Sequence, residues 1–448
     1  MNDTIAAIST AQGVGAISII RVSGDNSINI VNKIFSSDLT EVLSHTIHYG
    51  YIVDNGIRVD EVLVSVMRAP KTFTREDIVE INAHGGINTT NKILELLFLN
   101  GARLALPGEF SKRAFLNGRI DLTEAEGIID LINAKTDDAR SMAINQVSGK
   151  ASAMISNLRE EIAGVLANIE VNMNYPEYDD IEEVTISKIK SMMKDITLKI
   201  DKIIKEGNSG ELLKNGINTV IVGRPNVGKS SLLNNLIGVE KAIVTDIQGT
   251  TRDSIEASLM FDNIILNLID TAGIRETSDK VESIGARKSL SLIDKADLVL
   301  FVLNNNEELM EDDYKILDKL NDKNYIAIVN KCDLENKLDT SLLSNVVRVS
   351  ALKDINMEGI KDKIKEIFNL GKIETSDLTY LTSARSLALL KQVSKQVDEI
   401  NNGLDNGFML DMIEIDLKQM WNLLGEIIGE NYDDELIDEI FSRFCVGK

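Results

Sequence analysis

The sequence predicts a multidomain chain: an α+β N-terminal domain, an all-α helical domain, and an α/β P-loop domain inserted into the helical part. Three observations predict this. Residues 1–118 read as short strands bounded by Gly, Asp and Asn turns. Near Leu122 the apolar period changes to that of helices. Residues 216–371 then alternate strand and helix around a glycine-rich phosphate-binding motif. At 448 residues the chain exceeds one ordinary core, and about three domains are expected.

In the N-terminal domain (1–118), Ala16–Val22, Asp60–Met67 and Asp77–Asn82 are expected strands. One helix is expected from about Asn88 to Leu99, ended by Asn100-Gly101. The helical domain is expected over 119–212 and again over 375–448. Thr123-Glu-Ala-Glu126 reads as a capping box ahead of Ile128, Ile129, Leu131 and Ile132. Pro176 is the single proline between Pro107 and Pro225, which suits long helices. In the inserted domain (216–371), strands are expected at Ile217–Val222, Ile264–Ile269, Leu298–Leu303, Tyr325–Asn330 and Val346–Ser350. Such alternation marks a mostly parallel, doubly wound sheet.

Composition narrows the class. Apolar residues make up 44% of the chain, which is globular rather than disordered. Two cysteines, Cys332 and Cys445, imply no disulfide framework and suit a reducing cytosol, so a cytoplasmic location is expected. The N-terminus has no basic region before an apolar core, so no signal peptide is expected. No apolar run approaches the ~20 residues of a membrane span. The net charge is −22, and residues 401–440 hold 11 acids against one base, Lys418. Such a surface repels a phosphate backbone, so nonspecific nucleic-acid binding is disfavoured.

The stretch Gly223-Arg-Pro-Asn-Val-Gly-Lys-Ser230 is the phosphate-loop pattern, set between an apolar strand and a helix. Its glycines let backbone N–H groups curl around phosphate oxygens, and the helix N-terminus adds partial positive charge. Lys229 is expected to reach the outer phosphates and Ser230 to ligate Mg²⁺. Asp270-Thr271-Ala272-Gly273 follows the next strand; its Asp suits Mg²⁺ through water and its glycine N–H suits a γ-phosphate. Asn330-Lys331-Cys332-Asp333 follows another. Its Asp accepts two hydrogen bonds from the guanine N1–H and 2-amino group, which adenine does not offer, so GTP is expected over ATP. Ser350 and Ala351 suit a backbone contact to the guanine oxygen.

Two details narrow the chemistry. The position after D-x-x-G is Ile274, where many small GTPases carry a water-orienting Gln. Thr245 to Asp253 is an oxygen-rich loop in the place of the first switch, with Thr251 suited to Mg²⁺. A monovalent cation ringed by oxygens of Asn226, Thr245, Ile247 and Thr250 would supply positive charge; Arg252 as an arginine finger is the competing idea.

Together these features resemble the MnmE (TrmE) family of tRNA-uridine-modifying GTPases over the whole chain. The N-terminal matches are Gly15–Gly24, Glu80–Gly86, Leu106–Gly118 and Asp121–Glu126; the end, Phe444-Cys-Val-Gly-Lys448, matches the family's F-C-I-G-K with Val for Ile. The resemblance implies a potassium-stimulated GTPase that is a homodimer through its N-terminal domain. It implies that this domain binds a tetrahydrofolate one-carbon donor, 5,10-methylene or 5-formyl. It implies a heterotetramer with the partner MnmG, which alone brings FAD, and addition of a carboxymethylaminomethyl-type group to C5 of the wobble uridine, position 34 of certain tRNAs. The tRNA would be held weakly by this chain and mainly through the complex.

Carried over by motif, Asn226, Val227, Gly228, Lys229, Ser230 and Ser231 would hold phosphates. Thr245, Asp246, Ile247, Gln248, Gly249, Thr250 and Thr251 would form the potassium loop. Ser230 and Thr251 would be the Mg²⁺ ligands, and Glu282 would orient the catalytic water. Arg21, Glu80, Arg119 and Lys448 match the folate pocket. Glu80 suits the pterin amino group and the cations suit the glutamate carboxylates. Arg119 stands where many members have Lys, which changes geometry but not charge. A GTP-gated scaffold, as in ribosome assembly, is the alternative; such proteins carry a basic RNA-binding appendage, whereas this chain is acidic.

Overall fold

The structure is a computed structural model that describes residues 3–174, 186–239, 242–243, 255–261, 264–269, 292–368, 370, 381–432 and 434–448. In chain order the strands are β1 (Ile5–Ile8), β2 (Ile17–Ser23), β3 (Thr46–Asp54), β4 (Ile57–Met67), β5 (Ile78–His84), β6 (Arg103–Leu104), β7 (Ile217–Val222), β8 (Ala242–Ile243), β9 (Ile255–Phe261), β10 (Ile264–Ile269), β11 (Leu298–Asn304), β12 (Tyr325–Asn330) and β13 (Val346–Arg348). The helices are α1 (Ser27–Asn32), α2 (Ile87–Leu99), α3 (Glu109–Leu116), α4 (Leu122–Asn133), α5 (Asp137–Val147), α6 (Lys150–Asn174), α7 (Ile186–Asn215), α8 (Lys229–Val239), α9 (Glu311–Lys319), α10 (Glu358–Ile367), α11 (Ala384–Asp405), α12 (Leu410–Ile428) and α13 (Asp434–Ser442). They fall into two compact units. One comprises Met1–Ile129, Val147–Ile189 and Gln396–Lys448; the other comprises Asp130–Gln146 and Lys190–Lys395.

The first unit carries a sheet of order β3-β4-β5-β2-β1-β6. Its pairs are antiparallel except β1 with β6. Ile20, Val22, Val64, Val66, Val79 and Ile81 are buried in one cluster with Ile93 and Leu97 of α2. The sequence reading expected three strands and one helix here; the domain also has β1, β3, β6, α1 and α3. β3 and β4 form a hairpin through Asn55-Gly56, both at positive φ (48° and 85°), the shape such a tight turn needs. Arg113 of α3 is 1% exposed and is neutralised by Glu76, Glu109 and Asp3, as a buried guanidinium requires. Elsewhere in this unit α6 packs on α12, where the Arg159 guanidinium lies 3.9 Å from the Trp421 ring centroid.

One local reading is corrected. The capping box is not Thr123 to Glu126 but Asp121 to Glu124. The Asp121 carboxylate accepts from Glu124 N (2.9 Å) while the Glu124 carboxylate accepts from Asp121 N (2.8 Å). The Thr123 hydroxyl donates to Asp121 Oδ1 instead. An aspartate caps as well as a threonine, and helix α4 therefore starts two residues earlier, at Leu122.

The second unit holds the sheet β13-β12-β11-β7-β10-β9-β8. β13, β12, β11, β7 and β10 pair in parallel, while β9 and β8 add antiparallel. Leu298, Leu300 and Val302 of β11 enter one core cluster, and Val299, Phe301 and Leu303 the other. All seven β11 residues are buried, the pattern of a strand covered on both faces. The sheet is therefore doubly wound, and the chemistry falls at the carboxyl ends of β7, β11 and β12.

Candidate functional site

β7 ends at Val222 and α8 begins at Lys229, so residues 223–228 turn between strand and helix. At Gly223, φ is +149° and a Cβ would lie 2.3 Å from the Val302 carbonyl oxygen; at Gly228, φ is +100° and a Cβ would lie 2.2 Å from Asn330 Nδ2. Neither position admits a side chain. Asn226 is exposed at φ 64°, a left-handed conformation that Asn tolerates. The Lys229 ammonium lies back over the loop and donates to Gly223 O (2.8 Å) and Arg224 O (2.7 Å). Ser230 and Ser231, at the start of α8, are exposed.

Asn330 joins three motifs. Its buried carboxamide donates to Val227 O (3.0 Å) and accepts from Lys331 N (2.8 Å) and Ala351 N (3.0 Å). Lys331, at φ 61°, donates its ammonium to Asn226 O at 2.9 Å. The Asp333 carboxylate is held by the Ser350 side chain and by Lys353 at 3.2 Å, which together keep its pKa below the ordinary 3.8. The structure thus gathers Asn226, Val227, Gly228, Lys229, Asn330, Lys331, Asp333, Ser350 and Ala351 at one end of the sheet.

A second cluster lies in the first unit. Antiparallel pairing sets Arg21 opposite Glu80 on β2 and β5. The guanidinium donates to Glu80 Oε1 at 2.8 Å and to Gly447 O at 3.4 Å. The last residues are stitched down: Gly108 N donates to Cys445 O, Phe110 N to Lys448 O, and the Ser9 hydroxyl to Gly447 O. Gly447 has φ +91°, and a Cβ there would sit 2.6 Å from Ile8 O. Burial, then the positive charge of Arg21, pushes the Lys448 amine below its usual range. Arg119 does not join this group directly. Its guanidinium lies 5.8 Å from the Phe73 ring centroid, and Phe73 packs against the cluster containing Phe110, over which Arg21 lies at 5.7 Å.

Comparison with known proteins decides the family. The pattern described as the MnmE helical domain matches residues 122–445, and that described as the GTP-binding protein TrmE N-terminus matches residues 4–119. The tRNA modification GTPase MnmE of Streptococcus thermophilus is 50% identical over 100% of this chain and 98% of its own length. The chain belongs to the MnmE family of tRNA modification GTPases. The MnmE of Listeria welshimeri is 49% identical over 100% of this chain and 99% of its own. Among solved structures, the G domain of the T. maritima FeoB iron transporter is 29% identical over 34% of this chain and 98% of its own, with a TM-score of 0.25.

An MnmE-family phosphate loop has to hold a nucleotide with Mg²⁺, and the residues described here fit one. Gly223 and Gly228 have positive φ, and a Cβ at either would strike Val302 O or Asn330 Nδ2, so only glycine lets the loop turn this closely against the sheet. Lys229 supplies a cation, and the first turn of α8 turns its backbone N–H groups to the loop side with the positive end of the helix dipole. Thr245, Asp246, Ile247, Gln248, Gly249, Thr250, Thr251, Asp270, Thr271, Ala272, Gly273 and Glu282 lie outside the described residues, as do Arg252 and Ile274. The sequence reading missed Arg224, whose guanidinium is tied to Asp313 (2.6 Å) and Glu307 (3.0 Å) and so anchors the front of the loop. It stands at a free position of the motif, and only the fold brings its acids near. Lys353, the partner of Asp333, was missed for the same reason. Among the described residues no helix is long and apolar enough to cross a membrane.

Proposed function

We propose that this tRNA modification GTPase is stimulated by potassium. With the FAD-dependent partner MnmG, it adds a carboxymethylaminomethyl-type group to C5 of the wobble uridine of certain tRNAs, using a tetrahydrofolate donor. The observation that carries the nucleotide half is the buried Asn330 carboxamide, which joins the phosphate loop to the guanine motif through three hydrogen bonds. In this reading Asp333 selects guanine, and Lys229 with the loop N–H groups binds the outer phosphates. Ser230 and Thr251 would hold Mg²⁺, which neutralises phosphate charge when bound. Asn226, Thr245, Ile247 and Thr250 would ring the potassium ion, and Glu282 would orient the attacking water in place of the missing Gln.

The folate half is supported by the Arg21–Glu80 pair beside Lys448. Glu80 would take the pterin amino group; Arg21, Arg119 and Lys448 would take the glutamate carboxylates. We further propose a cytoplasmic homodimer formed through residues 1–118, a helical domain over 119–212 and 375–448, and a GTPase domain over 216–371. GTP turnover in KCl against NaCl at equal ionic strength tests the cation mechanism. At least severalfold faster hydrolysis in KCl is expected, and equal rates would refute it.

A further inference from the structure

The first unit contains a cavity of about 530 Å³ that the nucleotide chemistry does not use. Lys71, Arg75 and Arg119 line it beside His45, and Met67 and Phe73 supply apolar surface. No carboxylate lines it, and among the described residues none of the three cations forms an ion pair. In a chain of net charge −22 this is a local reversal of sign, and such a concave cationic surface concentrates anions. Arg75 is held in the left-handed region at φ 57°, with Nη1 donating to Asn117 O at 2.9 Å. Left-handed backbone at a bulky residue persists only where its surroundings fix it, and it clusters at ligand sites. Arg119 lies over Phe73, and Phe73 packs against the apolar cluster that contains Phe110, over which Arg21 lies. The cavity and the Arg21–Glu80–Lys448 cluster thus border the same apolar cluster.

We propose that this cavity is a subsite for a chain of carboxylates, the poly-γ-glutamyl extension of a reduced folate. The inference rests on the folate reading above. The pterin and first glutamate would take Arg21, Glu80, Arg119 and Lys448; the added glutamates run past Arg75 and Lys71, with their methylenes on Met67 and Phe73. An RNA backbone is the other polyanion to consider. A single short concavity with an apolar wall suits a short oligocarboxylate better than an extended phosphate track.

Calorimetry on the full-length protein tests this by comparing 5-formyltetrahydrofolate bearing one glutamate with the same folate bearing three. Two further contacts to exposed cations are expected to tighten Kd by about tenfold, less as salt is raised. Lys71→Ala combined with Arg75→Gly is expected to abolish that gain while the one-glutamate form keeps its affinity. Glycine is chosen at 75 because it adopts a left-handed φ without strain. Equal affinity for the two forms, or a gain that survives the double substitution, overturns the subsite and leaves the folate reading standing. Failure of both forms to bind overturns the folate reading and the subsite with it. Displacement of the three-glutamate form by a short RNA from the unsubstituted protein alone would assign the cavity to RNA instead.

Discussion

At the scale of single residues, the proposed nucleotide site divides its labour between Asn330 and Asp333. Asn330 is buried and spends its amide on the protein's own backbone, at Val227, Lys331 and Ala351. It ties the loops together, and in the proposed reading base selection falls to Asp333. That carboxylate is oriented by Ser350 and Lys353, which lower its pKa. The sign follows: a depressed carboxylate stays ionised down to and below its ordinary 3.8 and is lost only as pH falls through the lower folded value. Guanine-nucleotide affinity is therefore expected to show no loss from Asp333 protonation between neutrality and about pH 4.5. Asp333→Asn puts an amide donor where the guanine donors point. Leaving such groups unmatched costs roughly 1–3 kcal/mol, so GDP affinity should fall about ten- to a hundredfold. Fluorescent-nucleotide titration across pH checks both; an unchanged affinity in Asp333→Asn would remove the carboxylate from base recognition.

At the scale of elements, what could be read in advance was what local sequence determines. β7, β10 and β12 run where the apolar stretches place them, because strands buried on both faces leave continuous apolar runs. β3 was missed although Asn55-Gly56 marks its hairpin, because its side chains alternate weakly and its register shifts at Ile52/Val53. The docking of the last five residues on β1, β2 and α3 was out of reach: it depends on contacts across hundreds of positions, such as Ser9 with Gly447. So was Asn330's bond to Val227, 103 positions away. The start of α4 shows how near a local reading comes. Both Asp121-x-x-Glu124 and Thr123-x-x-Glu126 have the spacing of a capping box, and the hydrogen bonds choose the first. Asp121→Ala should cost about 1 kcal/mol in urea denaturation, whereas Glu126→Gln should cost less than half of that. Equal costs would mean that the cap does not act as described.

At the scale of the whole molecule, charge decides how the chain meets RNA. The balance is −22 overall and close to neutral over residues 1–120, with 11 basic and 12 acidic side chains, so nearly all the excess lies beyond them. Nonspecific affinity for a phosphate backbone comes from cations that displace condensed counterions, and acidic surface opposes the approach. Many of the basic side chains are already committed: Arg113 and Arg224 to buried acids, Arg159 to Trp421 and Glu430, Lys418 to Glu170 and Glu414. Cations committed in this way are less available to follow a tRNA. The chain alone is therefore expected to bind tRNA no tighter than about 10⁻⁶ M at physiological salt, with affinity falling steeply as KCl rises. Fluorescence polarisation with labelled tRNA over a KCl series measures this. Nanomolar binding by the chain alone would show that the acidic surface has been outweighed by a basic track, and would place RNA recognition on this chain rather than on the proposed partner complex.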